Sequence, residues 1–248
     1  MGERPRFFLP RSQWGTSPLL LSGDEAKHCA RVLRMQPGDE LELFDGAGRS
    51  SRALVQTVAG QQVALALTGT PVEEPVRMPI LLAAAVPKGQ TMEDIIRQAT
   101  EIGVSRIVPL LTERCVVKID DPARRQEKWQ RVALEACKQC GRNWLPTVEL
   151  PCRLETFLKS GLDDSQLRCV AALSPLAAPL ARWWPQQTPP ASASVVTGPE
   201  GDFSPRELQG ILDRGYHPLW LGPHVLRADT ASAYAMSIFS QAFFVSTA

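Results

Sequence analysis

The sequence predicts an α/β protein in two parts. A small β-barrel comes first, followed by a larger domain built on a mostly parallel sheet covered by helices. Three observations carry this. From residue 80 onward, apolar runs alternate with helix-period segments, the pattern of strand–helix–strand units. Before residue 72 the segments are short and alternate apolar with polar positions, as half-exposed antiparallel strands do. Between them, PVEEPVRMP at 71–79 has three prolines and no apolar period, as a linker does. The expected division is a barrel over 1–72, a linker over 73–79 and an α/β domain over 80–248.

Composition bounds the rest. With 248 residues the chain can bury a substantial core. Lys and Arg number 27 against 26 Asp and Glu, so the net charge of +1 does not announce nucleic acid and any basic footprint is local. No 18-residue apolar run exists, so no membrane span is expected. The N-terminus MGERPRFFLPRS lacks the apolar core of a signal peptide. The six cysteines (Cys29, Cys115, Cys137, Cys140, Cys152 and Cys169) are scattered, which fits reduced thiols and a cytoplasmic protein. Cys137 and Cys140 form a CxxC inside an expected helix with no second pair and no nearby His. It reads as structural, and no metal is expected.

In the N-terminal part, Arg6–Leu9, Glu40–Phe44, Ser51–Val55 and Gln62–Leu67 read as strands, with Asp45-Gly46-Ala47-Gly48 as a hairpin loop. One helix runs from Gly23 to about Met35, with Ala26, Ala30 and Leu33 spaced for a buried face, and stops before Pro37-Gly38. Lys27, Arg31 and Arg34 share a face of it. That face either binds phosphate, which guanidinium groups do bidentately, or is solvated and balanced by Asp24 and Glu25.

In the second part, Ile80–Val86 reads as a buried strand and Thr91–Ile102 as a helix. The helix is expected to be capped by Thr91, packed through Ile95, Ile96, Ala99 and Ile102, and ended by Gly103. Arg106–Leu111 is the next strand, and Pro122–Cys140 a long helix. Val148–Leu150, Cys169–Leu173 and Ser194–Val196 are further strands. Trp183, Trp184 and the segment to Ser194 read as surface. Glu101 sits near a helix C-terminus, where the macrodipole disfavours its charge, so a partner is expected. Arg114, Lys118, Arg124, Arg125, Lys128 and Arg131 are either a phosphate track or a solvated loop. Lys88 follows a strand end, where a cation can face a cleft.

Two stretches near the C-terminus organise the domain. VVTGPEGDFSPRE, residues 195–207, reads as strand, tight polar loop and helix, with Ser204, Pro205 and Glu207 forming a capping box. Residues 218–221 form a short strand, Gly222-Pro223 a turn, and a helix runs from about Asp229 to Phe244. That helix is apolar or small nearly all round, as one buried on more than one side is. Two such strand-end loops can meet at the carboxyl edge of a sheet, where ligands bind. There is no GxGxxG and no GxxxxGK[ST]. Backbone groups beside an apolar wall suit a flat adenine ring with a small charged tail, while two plain turns remain the alternative.

GPEGDFSPRE resembles the GPEGG-F-S-x-x-E motif, and LGPHVLRADTA the LG-x-R-I-L-R-x-E-T-A motif, of the ribosomal small-subunit methyltransferase E family. HCARVLRMQPGDELELFDGAG, Lys88-Gly89 with Met92-Glu93, ATEIGV at 99–104, and Glu135-Ala136 with Gln139, Arg142 and Pro146 resemble further segments of it, so the similarity covers nearly the whole chain. The resemblance implies a SPOUT-type domain with a trefoil knot behind a PUA-like barrel, and a homodimer. It also implies S-adenosylmethionine as cofactor, and methylation of N3 of a uridine in 16S rRNA of the small ribosomal subunit. On it, Leu173, Thr197, Gly198, Pro199, Glu200, Gly201, Leu221, Gly222, Val225, Leu226 and Thr230 are expected to line the cofactor site. Arg6, Arg11, Lys27, Arg31, Arg34, Lys88, Arg114, Lys118 and Arg142 are expected to contact RNA. N3 has a free lone pair only after losing its proton, and lies on the Watson–Crick edge. Arg227 is therefore the candidate cation beside a uridinate, and Glu200 the candidate base or polar cofactor contact.

The chain departs from the family pattern at Cys29 (a second His), Asp202 (the second Gly of GPEGG), His224 (Arg) and Ala228-Asp229 (Thr-Glu). Those at Asp202, His224 and Ala228-Asp229 keep two other readings open: a non-catalytic RNA-binding protein with a degenerate methyltransferase domain, or a methyltransferase with a changed RNA substrate. A nucleotide-dependent oxidoreductase is disfavoured by the missing GxGxxG.

Overall fold

The computed structural model describes residues 4–15, 17–185 and 188–244. Residues 1–3 of the N-terminal stretch, and Gln186 and Gln187 of the expected surface segment, lie outside the described residues. The chain divides into two compact units: residues 1–76 with 137–145, and 77–136 with 146–248. The sequence reading assigned 137–145 to the second domain; it packs with the first.

The first unit holds β1 (Arg6–Phe8), β2 (Leu19–Leu21), β3 (Glu40–Phe44), β4 (Arg49–Ala59), β5 (Gln62–Leu67) and β6 (Val72–Glu73). The order is β1-β3-β4-β5-β2, with β6 beside β4. All pairs are antiparallel except β1 with β3. Phe7, Leu21, Leu41, Val55 and Val63, from five different strands, share one core. Laid flat, five strands would put their edges roughly 19 Å apart, so a shared core means the sheet is curled. Strand β6 starts inside the stretch read as linker, because Ser50 and Arg49 pair with Val72 and Glu73.

Helix α1 (Gly23–Lys27) passes into one wider turn at His28–Val32. The expected buried face fails at its end: Ala26 is buried, but Leu33 is 41% exposed. The wider turn shifts the phase, and Cys29 and Met35 take the buried positions.

The second unit holds β7 (Ile80–Ala85), α2 (Thr91–Ile102), β8 (Arg106–Leu111), α3 (Pro122–Cys140), β9 (Thr147–Val148), β10 (Cys152–Arg153) and α4 (Leu154–Ser160). It continues with β11 (Leu167–Ala171), α5 (Leu180–Trp183), β12 (Ala193–Thr197), α6 (Pro205–Leu212), β13 (His217–Leu219) and α7 (Ala228–Phe243). The last turn of α3, from Cys137, belongs to the first unit. The sheet runs β10-β8-β7-β12-β11-β13, with β9 beside β8, and every pair is parallel. Strand β7 is buried throughout, as a strand covered on both faces is. Leu81 and Ala83 of β7 pack with Phe157 of α4 and Ile211 of α6. Helix α7 packs on β7, β12 and α2.

Two local expectations are corrected. Gln90, not Thr91, is the N-cap of α2, and it makes no side-chain capping bond. Glu101 is exposed and has no ion pair among the described residues, so solvent screens its charge at the helix end.

Candidate active site

Register brings the loops together. Thr197 of β12 lies opposite Ala84 of β7 and Ala171 of β11, and Ala171 lies opposite Leu219 of β13. All four strands are parallel, so their following loops leave the sheet at one level. A cleft of about 490 Å³ opens there. Leu173, Gly198, Pro199, Glu200, Gly201, Leu221, Gly222, Val225 and Leu226, all named in the sequence reading as candidate cofactor contacts, line this cleft. Thr197 and Thr230 do not. Thr197 is buried, its hydroxyl 2.9 Å from that of Ser232, and Thr230 is exposed on the outer side of α7. Other lining residues escaped the sequence reading, among them Trp220, 46% exposed, and Asp202 and His224, noticed only as departures. An aromatic residue one position after a short strand was the available signal for Trp220.

The loop after β12 is the hub of this edge. Glu200 Oε1 accepts from the Lys88 amide at 3.2 Å, reaching the loop after β7. Asp202 Oδ2 accepts from the Leu173 amide at 3.1 Å, reaching the loop after β11. Arg114 Nη1 donates to the Gly201 carbonyl at 2.5 Å from the loop after β8. Glu207 Oε2 accepts from the Ser204 amide at 3.0 Å, while the Ser204 hydroxyl accepts from the Glu207 amide at 3.2 Å, so the capping box forms. Glu207 Oε1 accepts from the Glu113 amide at 2.7 Å. Gly198 is needed for close approach: a Cβ there would sit 3.1 Å from Asp202 Oδ1 and 3.2 Å from the Phe203 ring. Three carboxylates and one guanidinium thus tie one loop to three others, which presets the cleft.

Arg227 is the N-cap residue of α7, between Leu226 and Ala228 of the cleft lining. It is exposed and carries no ion pair among the described residues, the nearby Asp229 included. Glu200 is also exposed, with one oxygen committed to the Lys88 amide. Lys88 keeps its ammonium at the surface, as does Lys118. Arg114 is in part a brace for the loop after β12 rather than a free phosphate ligand.

The residues expected to contact RNA in the first unit divide sharply. Arg6 is a correction. Its guanidinium donates to the Cys137 carbonyl at 2.8 Å and to Asn143 Oδ1 at 2.5 Å, faces Glu42 at 3.3 Å and lies over the Phe44 ring. Both terminal nitrogens of that group are committed inside the protein, and the buried Nε faces Glu42 without a hydrogen bond. Arg11 faces Glu73 at 3.3 Å and Asp45 at 3.8 Å. Lys27 pairs with Asp24 at 3.2 Å, but Glu25 does not balance it: that carboxylate accepts from the Phe8 amide and pairs with Lys138. Arg31 and Arg34 are exposed, with no ion pair among the described residues. Arg142 is half-buried, and its carbonyl accepts from Arg6 at 3.4 Å.

The CxxC thiols face different surroundings. Cys137 is buried, which pushes its thiol up to about 12, and Cys140 is exposed. Among the described residues no group of three or more His, Cys, Asp or Glu is placed to hold a metal ion, and no helix is long and apolar enough to cross a membrane.

Comparison with known proteins sharpens this picture. Residues 73–240 match the model of an RNA methyltransferase domain, and residues 21–58 that of an RNA methyltransferase PUA domain. A ribosomal RNA small subunit methyltransferase E of Synechocystis sp. is 36% identical over 221 residues, covering 88% of this chain and 71% of that protein. The chain belongs to the ribosomal RNA small subunit methyltransferase E family. The family's Bacillus subtilis member is 29% identical over 251 residues, 95% of each chain. A Legionella pneumophila protein solved with bound SAM superposes with a TM-score of 0.88 at 32% identity, covering 97% of this chain and 98% of that one. A family member from Neisseria gonorrhoeae, bound to S-adenosyl methionine, superposes at 0.83 with 26% identity, covering 95% of this chain and 96% of that one.

Proposed function

We propose that this family member binds S-adenosylmethionine in the cleft at the carboxyl edge of its parallel sheet. It then methylates N3 of a uridine in the 16S rRNA of the small ribosomal subunit. The observation that carries this reading is the convergence of both family motifs on one braced cleft, with Arg227, exposed and without an ion pair among the described residues, between two of its lining residues in the chain. The lining suits the cofactor: backbone groups and small residues at Gly198, Gly201 and Gly222 leave room for a flat ring. Leu221, Val225 and Leu226 supply apolar wall. When bound, S-adenosylmethionine supplies a methyl electrophile; the residues of this chain supply position and charge.

Uridine N3 attacks only as the anion, so the site must favour loss of its proton. Arg227 does so by offering guanidinium donors to the oxygens that share the negative charge. Glu200, exposed in the cleft with one oxygen uncommitted in the bracing network, is the candidate acceptor of the proton. The preset loops hold the reacting groups in line, which removes much of the orientational cost. Arg31 and Arg34, with Lys88 and Lys118, are the candidate phosphate contacts left after the corrections above.

The homodimer and the knot belong to the same reading. Helix α7 exposes Thr230, Tyr234, Ser237 and Gln241 in an uncharged stripe, which suits a second copy. Helix α7 follows edge strand β13 and packs on β12 and β7 further into the sheet, which is compatible with the knot that the resemblance implies. A single-chain mass in sedimentation would remove the dimer, and a chain path that draws straight from its ends would remove the knot. The direct test of the cofactor reading is calorimetric titration with S-adenosylmethionine. Saturable binding at one site per chain is expected; no binding would overturn it.

A further inference from the structure

Asp202 and Arg34 are the non-glycine residues with positive φ among the described residues, Asp202 at 57°. A side chain in that region has a conformational cost that glycine would avoid. Aspartate tolerates it when its carboxylate bonds nearby backbone, and here both oxygens do. Oδ1 accepts from the Phe203 amide at 2.8 Å on its own loop. Oδ2 accepts from the Leu173 amide at 3.1 Å on the loop after β11. The Asp202 amide in turn donates to the Pro199 carbonyl at 2.9 Å, closing the turn that carries it. Leu173 and Asp202 both line the cleft, from different loops. The Leu173 side chain is 63% exposed, so side-chain packing does little to hold that loop down.

We propose that Asp202 is a positioning residue of the cofactor cleft. It latches the loop after β11 to the loop after β12 and so sets the spacing of two cleft walls. The ligand named rests on the cofactor reading above, whereas the latch is a property of the free chain. The resembling family motif has glycine at this position, so the latch is a device of this sequence and its removal leaves a backbone that glycine accepts.

Two variants test it. Asp202→Gly keeps the positive φ and removes both acceptors. Asp202→Asn also keeps the φ, retains one acceptor oxygen and sets an amide NH2 against the other donor. Residue-resolved amide exchange on the free full chain is the first readout. In Asp202→Gly the Leu173 amide is expected to exchange about tenfold faster or more, the scale of a lost bond to a charged acceptor, with Asp202→Asn between it and wild type. Amides of β7, β11 and β12 should not change. The second readout is kinetic: Asp202→Gly should raise the KM for S-adenosylmethionine about tenfold while kcat at saturation stays within about twofold. Unchanged exchange at Leu173, or equal acceleration through the whole sheet, would overturn the latch. A loss of kcat with KM unchanged would overturn the positioning role. If the wild-type chain binds no S-adenosylmethionine, the cofactor reading fails, and the exchange comparison alone decides the latch.

Discussion

At the scale of single residues, what separates function from structure here is whether a charged group has spent its hydrogen bonds. Arg6 and Arg227 have the same side chain and opposite situations. Arg6 is surrounded by two carbonyls, an amide oxygen, a carboxylate and a ring. Arg227 falls in the chain between two residues of the cleft lining, is exposed, and has no ion pair among the described residues. Replacing Arg227 with Ala should leave folding and cofactor affinity nearly intact and lower kcat by about 10²–10³, the cost of removing one group that stabilises developing negative charge. Single-turnover methyl transfer at saturating cofactor measures this, and wild-type rate in the variant would remove Arg227 from the chemistry. The sequence could not separate these two arginines. The hydrogen-bond acceptors that consume Arg6 lie more than 130 residues away in the chain, and no local pattern reports a contact of that range.

At the scale of elements, legibility followed length and punctuation. Strands β3, β5 and β8 and helices α2 and α3 fall where alternation, apolar runs and stop signals placed them. Strands β2, β6 and β10 have two or three residues, and α5 has four. Such pieces owe their existence to pairing and packing rather than to their own pattern. The hairpin loop 45–48 shows both sides of this. Asp45 and the glycines announced a turn, and Asp45 Oδ1 indeed accepts from the Ala47 and Arg49 amides at 2.7 and 2.9 Å. The reason for Gly48 was hidden. Its φ is 96°, and a Cβ there would lie 2.5 Å from the Trp144 ring, which reaches the loop from the 137–145 segment. Gly48→Ala should therefore destabilise the first unit by about 2 kcal/mol or more, from backbone strain and overpacking together. Urea unfolding with an unchanged midpoint would contradict that packing.

At the scale of the molecule, burial of thiols in both cores leaves a pH signature. Burial is the leading cause that raises Cys29 to about 11, and Cys137 and Cys169 to about 12, from the usual 9.0. In the unfolded chain these thiols begin to ionise near 9, while the folded chain still holds their protons. The unfolded state then binds fewer protons, so stability falls as pH rises. Urea midpoints should be flat below pH 9 and drop between 9 and about 11–12; replacing the three cysteines by Ala should make the slope shallower and leave the part due to Tyr216, whose phenol burial also pushes up. A flat profile in the native protein would mean those thiols reach solvent.

The carboxyl edge of the parallel sheet was the most legible part of the whole, because Gly and Pro mark strand-end loops in any α/β sheet and the family motifs fall on two of them. The braces between loops were not legible: which backbone amide a carboxylate such as Glu200, Asp202 or Glu207 accepts from depends on register across four parallel strands.

One measurement bears most directly on the function these scales support. Small ribosomal subunits lacking their uridine-N3 methyl group would be incubated with the protein and methyl-tritiated S-adenosylmethionine, and the 16S rRNA digested to nucleosides. Label in 3-methyluridine, lost in Arg227→Ala, is the predicted result. Label confined to another nucleoside, or none while the protein binds the cofactor, would contradict it.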